Sequence, residues 1–303
     1  MRVSLLKTYF YSVLFSVILG IATATQAGEK FEKSIQIPTN GHLFINNANG
    51  DVHATGWDKN SIMVRGELAH IGQELILKNK GDKTFIKLDI GKGSRLGNSY
   101  SMGGSDLHIF IPKNLELHFK GIDTNFTIEG LSAKITGNTI TGQLLIKNVS
   151  SNINVSSISG DISVTDSSGS VRVESMRGDV NVIGIYEDVH IQSVAGDIRA
   201  DISNIKKLRT NNVAGDTIVE GHLINDASIE LTSVNGHIDY KAAGVLNAKC
   251  EVSSQFGGEI NNNLTDDLPD NSQMQAQQLS FVSGDGSGSV VIKTIVGTIN
   301  IDN

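Results

Sequence analysis

The chain has 303 residues, with 25 Lys+Arg against 32 Asp+Glu for a net charge of −7, 5% aromatic residues, 32 Gly, 3 Pro and a single Cys. This acidic balance, with its basic residues scattered, leaves no electrostatic case for a nucleic acid or an anionic membrane surface as partner. The lone Cys250 rules out an internal disulfide, so stability must come from packing and backbone ladders.

The chain begins with Arg2 and Lys7, an uncharged apolar run from Tyr9 to Ala22 and the small-residue exit TATQA. This is the layout of a secretory signal peptide, residues 1–27, cut after about Ala27, and the run is too short to span a bilayer comfortably. Loss of Arg2 and Lys7 moves the net charge from −7 to −9. Residues 28–303 then read as one exported domain with no integral membrane segment after cleavage.

Near the amino end of the mature part stands NNANGDVHATGWD (Asn46–Asp58), whose Gly50-Asp51-Val52 already shows the turn-then-strand motif. Strand-like runs follow over 57–120: SIMVRGEL, ELILKN, TFIKLDI, DLHIFIP and LELHF. The loop among them, GKGSRLGNSYSMGGS, has no Lys-Ser/Thr phosphate cradle and reads as a turn region. Residues 28–120 are therefore the less regular amino-terminal part, and 121–303 the regular repeats.

The repeat has an unbroken period. Ile135, Leu144, Ile153, Ile162, Val171, Val180, Val189 and Ile198 are each nine residues apart. Two positions on, the column reads Gly137, Ile146, Val155, Val164, Val173, Val182, Ile191 and Ala200; a third holds Ile140, Val149, Ile158, Ser167, Met176, Ile185 and Val194. Each unit offers an i, i+2 apolar pair, the inward face of a short strand, and the third residue rounds a corner. Either an antiparallel meander or a coil fits. Gly-Asp order, rather than the Asp-Gly of tight hairpins, together with several longer turns, favours the coil. The fold predicted is an all-β, right-handed parallel β-helix or β-solenoid with roughly 18–20 residues per coil. The motif continues with slippage through Gly215-Asp216, Gly236-His237 and Gly258-Glu259. A polar excursion near 261–280 precedes the closing GSGSVVI and VGTINI.

Few residues offer chemistry. The Asp161/Asp179/Asp197 column, eighteen residues apart, stacks carboxylates one coil from the next. It could hold a cation, but the Gly-x-Gly element of calcium-binding rolls is missing, and Asp after Gly suits a tight turn. Cys250 lies in an alternating stretch and reads as a small buried side chain without an activating partner. None of the eight histidines has a short metal-ligand spacing to another; His108 and His118, flanking Pro112, read as surface residues. Lys206-Lys207-Leu208-Arg209 reads as a solvated strand edge. Trp57 is the one tryptophan, so there is little aromatic platform for sugars. No nucleophile elbow or HExxH element is present. The expectation is a protein that is not an enzyme, with no catalytic, cofactor-binding or metal residues and no cofactor.

Asn46–Asp58, DLHIFIPKNLELHF, the SISGDISV-type turns and SGSVVIKTIVGTINI together resemble a bacterial adhesin-like family of exported β-solenoid domains. The resemblance covers nearly all of the mature chain. It implies a repetitive right-handed β-helix and a role in surface or envelope interactions, with no binding residues to carry over. The expected function is an exported adhesin-like binding or scaffold protein, periplasmic or at the cell surface of a Gram-negative bacterium, whose partner is an envelope protein or polysaccharide. Two alternatives stay open. One is a self-assembling structural protein that associates through terminal coils, the final TINIDN being read as an uncapped strand. The other is a polysaccharide-active β-helix enzyme.

Overall fold

The computed structural model describes residues 29–37, 41–68, 74–89, 104–272 and 275–303. The export signal expected at 1–27 and most of the Gly/Ser-rich loop lie outside the described residues. Among the described residues there are twenty β-strands and no helix, joined in one continuous hydrogen-bonded sheet. The sheet coils on itself.

The central coils show why the sequence repeats every nine residues. In β10 (Ile153–Ser159), β11 (Ile162–Arg177), β12 (Val180–Ala195) and β13 (Ile198–Ala214), strands pair in parallel with the equivalent strand one full coil later. Ile153 faces Val171, Ile162 faces Val180, and Val180 faces Ile198, so the repeating unit of the sequence is half a coil and two units complete the circuit. Alternation turns the β-branched pair of each half-coil inward, and Ile162, Val164, Val171, Val173, Val180 and Val182 are all buried. The core is narrow and mainly aliphatic. Its large rings include Phe119 and Phe126, 4.5 Å apart, Tyr186 and Tyr240.

Beyond the strict block the coil lengthens, through β14 (Thr217–Asn235) and β15 (Ile238–Ala242). Ile198 faces Thr217, a coil one residue longer than those before it, and Thr217 faces Ile238, a coil longer again by two. The last step exceeds the expected range by one residue. The extra residues fall at one corner, where register shifts bracket Ile205 and where Asn204 and Asp226 take positive φ of 63° and 58°. Asn and Asp tolerate that conformation better than other non-glycine residues.

Both ends depart from parallel stacking. At the amino end β2 (His42–Trp57) lies against β7 (Glu116–Glu129) on one side. Its other side takes β5 (Lys83–Asp89) along its first half and β6 (Ser105–Pro112) along its second. Antiparallel strands close this end: β4 (Glu74–Lys80) on β5, β3 (Ser61–Leu68) on β6, and β1 (Glu29–Gln36) on β3. After β7 the chain continues into β8 (Ile135–Thr141) and β9 (Leu144–Lys147), the next coil. At the other end β19 (Gly288–Val296) lies between β14 and β16 (Ala248–Ser254), and β18 (Gln277–Ser283) runs antiparallel on β16.

The TINIDN stretch departs from its expected place. In β20 (Ile299–Asp302), Ile299 faces Ile238 of β15 on one side and Ile260 of β17 (Ile260–Asn262) on the other. This strand is interior to the sheet. The excursion after β17 carries the chain back through β18 and β19, so residues 299–302 fill a slot flanked by earlier strands.

Candidate binding surface

Each coil turns at two corners, and one of them has the same five-residue form throughout. Thr139-Ile140-Thr141-Gly142-Gln143 is followed by Ser157-Ile158-Ser159-Gly160-Asp161, Ser175-Met176-Arg177-Gly178-Asp179 and Ser193-Val194-Ala195-Gly196-Asp197, and the form continues with Asn212 to Asp216. The first residue is buried and small. Ser175 Oγ donates to the carbonyl of Gly178, and Asn212 Nδ2 to that of Gly215, closing the corner from inside. The glycine is required by stacking. Gly178 has φ of +120°, and a Cβ there would run into the carbonyl of Gly160 one coil below.

The acidic residue after the glycine serves the same corner. The N–H of Asp179 donates to Asp161 Oδ1, that of Asp197 to Asp179 Oδ1, and that of Asp216 to Asp197 Oδ1, each at 2.9 Å. The ladder continues where the N–H of His237 meets Asp216 Oδ1 at 2.8 Å. The structure thus uses the Asp161/Asp179/Asp197 column to cap the backbone of the following coil.

The second residue of the corner faces solvent and is aliphatic. Ile122, Ile140, Ile158, Met176, Val194, Val213, Val234 and Ile295 occupy this position in consecutive coils, each 39% to 56% exposed. Their spacing is that of strands in a sheet, about 4.8 Å, giving an apolar ladder parallel to the coil axis. Two residues earlier the side chains are polar and varied: Lys120, Asn138, Ser156, Glu174, Gln192 and Asn211. Shallow grooves run beside the ladder. One of about 450 Å³ reaches Met176 and Val194, and one of about 650 Å³ reaches Ile122 and Ile140; the two share Ser156 and Ile158.

The third apolar column of the sequence therefore divides. Ile140, Ile158, Met176 and Val194 stand on this exposed corner, whereas Val149 and Ser167 are buried at the opposite one. Ile185 is out of step. It is 58% exposed, with Tyr186 taking the buried place.

A second cluster lies at the start of the first coil, unforeseen in the sequence because its members are far apart in the chain. In-register pairing sets His42 of β2 beside Glu116 of β7, and Phe44 beside His118. Glu116 and His118, at i and i+2, share a face. Glu116 Oε2 lies 3.1 Å from His42 Nδ1, and Oε1 lies 3.2 Å from His118 Nε2. The His118 ring stacks on Phe44 at 4.7 Å and 8°, which fixes its plane, and Phe44 stacks on Phe85 in turn. Burial holds the His118 imidazole below its usual range, against the opposing pull of Glu116. The donor atoms of His42, Glu116 and His118 lie within 4.8 Å of one another and form a set able to hold a metal ion. His108 belongs elsewhere: its ring stacks on His53 at 4.9 Å, and Nε2 approaches Asp106 at 3.4 Å.

The other residues singled out in the sequence have structural settings. Cys250 is a free thiol buried between Val290 and Phe281 in register, and burial pushes it up to about 12. Trp57 donates its indole N–H to the Ser61 carbonyl and carries Lys59 over its ring. In the basic run, Leu208 is buried and Arg209 pairs with Glu230 at 2.6 Å. No helix among the described residues is long and apolar enough to cross a membrane.

No curated protein matches the chain. Solved structures that it resembles include a candidate adhesin from Bacteroides fragilis, at 14% identity over 90% of this chain and 97% of that one, with a TM-score of 0.44. A candidate adhesin from Parabacteroides distasonis has 13% identity over 90% and 97% of the two chains and a TM-score of 0.48. A candidate lipid binding protein from the same species has 16% identity over 90% and 97%, with a TM-score of 0.39. The Toastrack DUF4097 family model matches residues 33–302, so the coiled sheet, with its stacked Gly-Asp corners, is that of a member of the Toastrack DUF4097 family.

Proposed function

We propose that the protein is an exported, non-enzymatic, adhesin-like binding or scaffold protein of the bacterial envelope, a single solenoid domain behind a signal peptide at residues 1–27, and that it takes a protein partner along its aliphatic ladder. The ladder carries this reading. Continuous apolar strips rimmed by polar residues are characteristic of interaction sites, whereas isolated exposed apolar residues are ordinary. Here eight successive coils repeat an aliphatic side chain at a solvent-facing corner while the polar positions beside it vary. Mutual shielding of side chains one coil apart explains part of that repetition, yet each still leaves more than a third of its surface in water. The strip is aliphatic throughout. Sugar rings favour aromatic faces, so a partner polypeptide with an apolar strip of its own fits better than a polysaccharide.

The test compares the mature protein with a Met176→Ser/Val194→Ser variant as bait for envelope extract, alongside circular dichroism and light scattering of both. A protein retained by the wild type and lost from the folded variant supports the reading. Equal retention by both, or retention of a glycan alone, overturns it. Concentration-dependent association of the wild type that the variant lacks would identify the partner as a second copy of this chain.

A further inference from the structure

We infer that His42, Glu116 and His118 form a binding site for a zinc-like divalent cation that clips the first coil of the solenoid to the second. The donor set is two imidazole nitrogens and one carboxylate, which suits zinc and its borderline neighbours rather than calcium or magnesium, whose ligands are oxygens. Tetrahedral zinc with bonds of about 2.0–2.1 Å needs its ligand atoms about 3.3 Å apart. Each imidazole approaches a different oxygen of the Glu116 carboxylate, at 3.1 and 3.2 Å, and one donor atom from each of the three residues fits within 4.8 Å. Closing that set to tetrahedral spacing takes a movement of at most about 1.5 Å between donors, and the two imidazole rings are already 6.0 Å apart, centre to centre.

The backbone holds the site in place. His42 opens β2 and Glu116 opens β7, in direct register, so strand pairing alone brings these two distant parts of the chain together. His118 follows on the same strand face, its ring held flat against Phe44. All three side chains are about one-third exposed, which leaves a coordination position open to solvent beside the protein ligands. The neighbouring cations Lys83 and Lys134, in the flanking strand rows, are both exposed, so salt screens their opposition. In the absence of metal the same atoms make two imidazole–carboxylate contacts, and the cation would take the place of the protons they share. Because it bridges β2 and β7, a bound ion opposes separation of the amino-terminal coil from the rest.

The experiment titrates the tag-free mature protein with Zn²⁺ by calorimetry and with Co²⁺ by visible absorption, and follows thermal unfolding with and without Zn²⁺. One ion per chain, the visible bands of low-coordinate Co²⁺ and a Zn²⁺-dependent rise in Tm are expected. His42→Asn, Glu116→Gln and His118→Asn, each checked by circular dichroism, should each weaken binding by at least about 100-fold, beyond the effect usual for an outer-shell partner. The His53→Asn/His108→Asn double variant should bind as the wild type does. Absence of binding by the wild type, equal binding by the three ligand variants, or loss of binding only in the His53/His108 variant overturns the proposal.

Discussion

The backbone N–H of Asp197 donates to Oδ1 of Asp179, 2.9 Å away and one coil below, while the N–H of Asp179 makes the same bond to Asp161. Each aspartate is thus acceptor for the coil above and donor to the coil below. The residue that looks like a binding site from its spacing is a repeated backbone cap. Replacing Asp179 by Ala should remove one cap at about 1 kcal/mol, lowering Tm by about 3 °C. Asp179→Asn retains an Oδ1 acceptor and should unfold near the wild-type temperature. Equal melting of the Ala and Asn variants would deny the cap its role.

The stacked glycines should be far less tolerant. Gly178→Ala sets a methyl group against the Gly160 carbonyl at φ of +120°, and combined strain and overlap should cost about 3 kcal/mol or more. Gly257 is the control. Its φ is +85°, but an added Cβ would meet nothing within 4 Å, so Gly257→Ala should cost about 1 kcal/mol. Denaturant unfolding of the two variants measures the difference, and similar losses would contradict a steric demand for glycine at the stacked corner.

His190 makes stability depend on pH. It lies in register between Arg172 and Arg209, which pair with Glu174 and Glu230 respectively. Burial, then the two guanidiniums, lowers its pKa below 6.5, against the weaker pull of Glu174 and Asp188. The unfolded chain therefore binds this proton more readily than the folded one. Stability from this group is complete above pH 6.5 and declines as pH falls from there toward the folded-state pKa. His190→Asn should show a smaller drop in Tm between about pH 7.5 and pH 5 than the wild type. An unchanged drop would remove His190 from the account.

Tyr240 offers the opposite case, a group whose removal should help. Its ring is buried between Val219 and Ile301 in register, and its hydroxyl has no hydrogen-bond partner. Burial accordingly pushes its pKa up. Because an unpaired buried hydroxyl is costly, Tyr240→Phe should be neutral or stabilising by up to about 1 kcal/mol. A clear loss of stability in thermal melts would point to a bond that the hydroxyl makes in solution.

The coiled core was legible in the sequence because both half-coils of the strict block have the same length, so one period placed the inward apolar pair of each half-coil from Leu144/Ile146 to Ile198/Ala200. The difference between the two corners left a fainter trace, visible only in Asp161, Asp179 and Asp197 recurring at every second unit. The exposed ladder was hidden for the same reason: Ile158 and Val149 fall in one nine-residue column, although one is 41% exposed and the other buried. Spacing gives no sign of the end closures or of the His42 cluster, since Ile238 meets Ile299, and His42 meets Glu116, only after several intervening strands. The Glu116-Leu117-His118 triplet was the one local sign, an acid and an imidazole on the same strand face.

The seat of β20 between β15 and β17 makes closure of this end of the solenoid depend on that strand. Coils can be laid down one after another from the amino end, each templated by its predecessor, until β15 is in place. From there the chain must run out through β16, β17 and β18 with nothing yet joining β17 to β15. Only when residues 299–302 arrive does the slot between them fill. During that interval the facing edges of β15 and β17 stand unpaired, as do those of β14 and β16 until β19 docks between them, the condition in which a sheet most readily recruits a foreign strand. The final residues act as a keystone. Until they are delivered this end of the solenoid stays open, however complete its core has become.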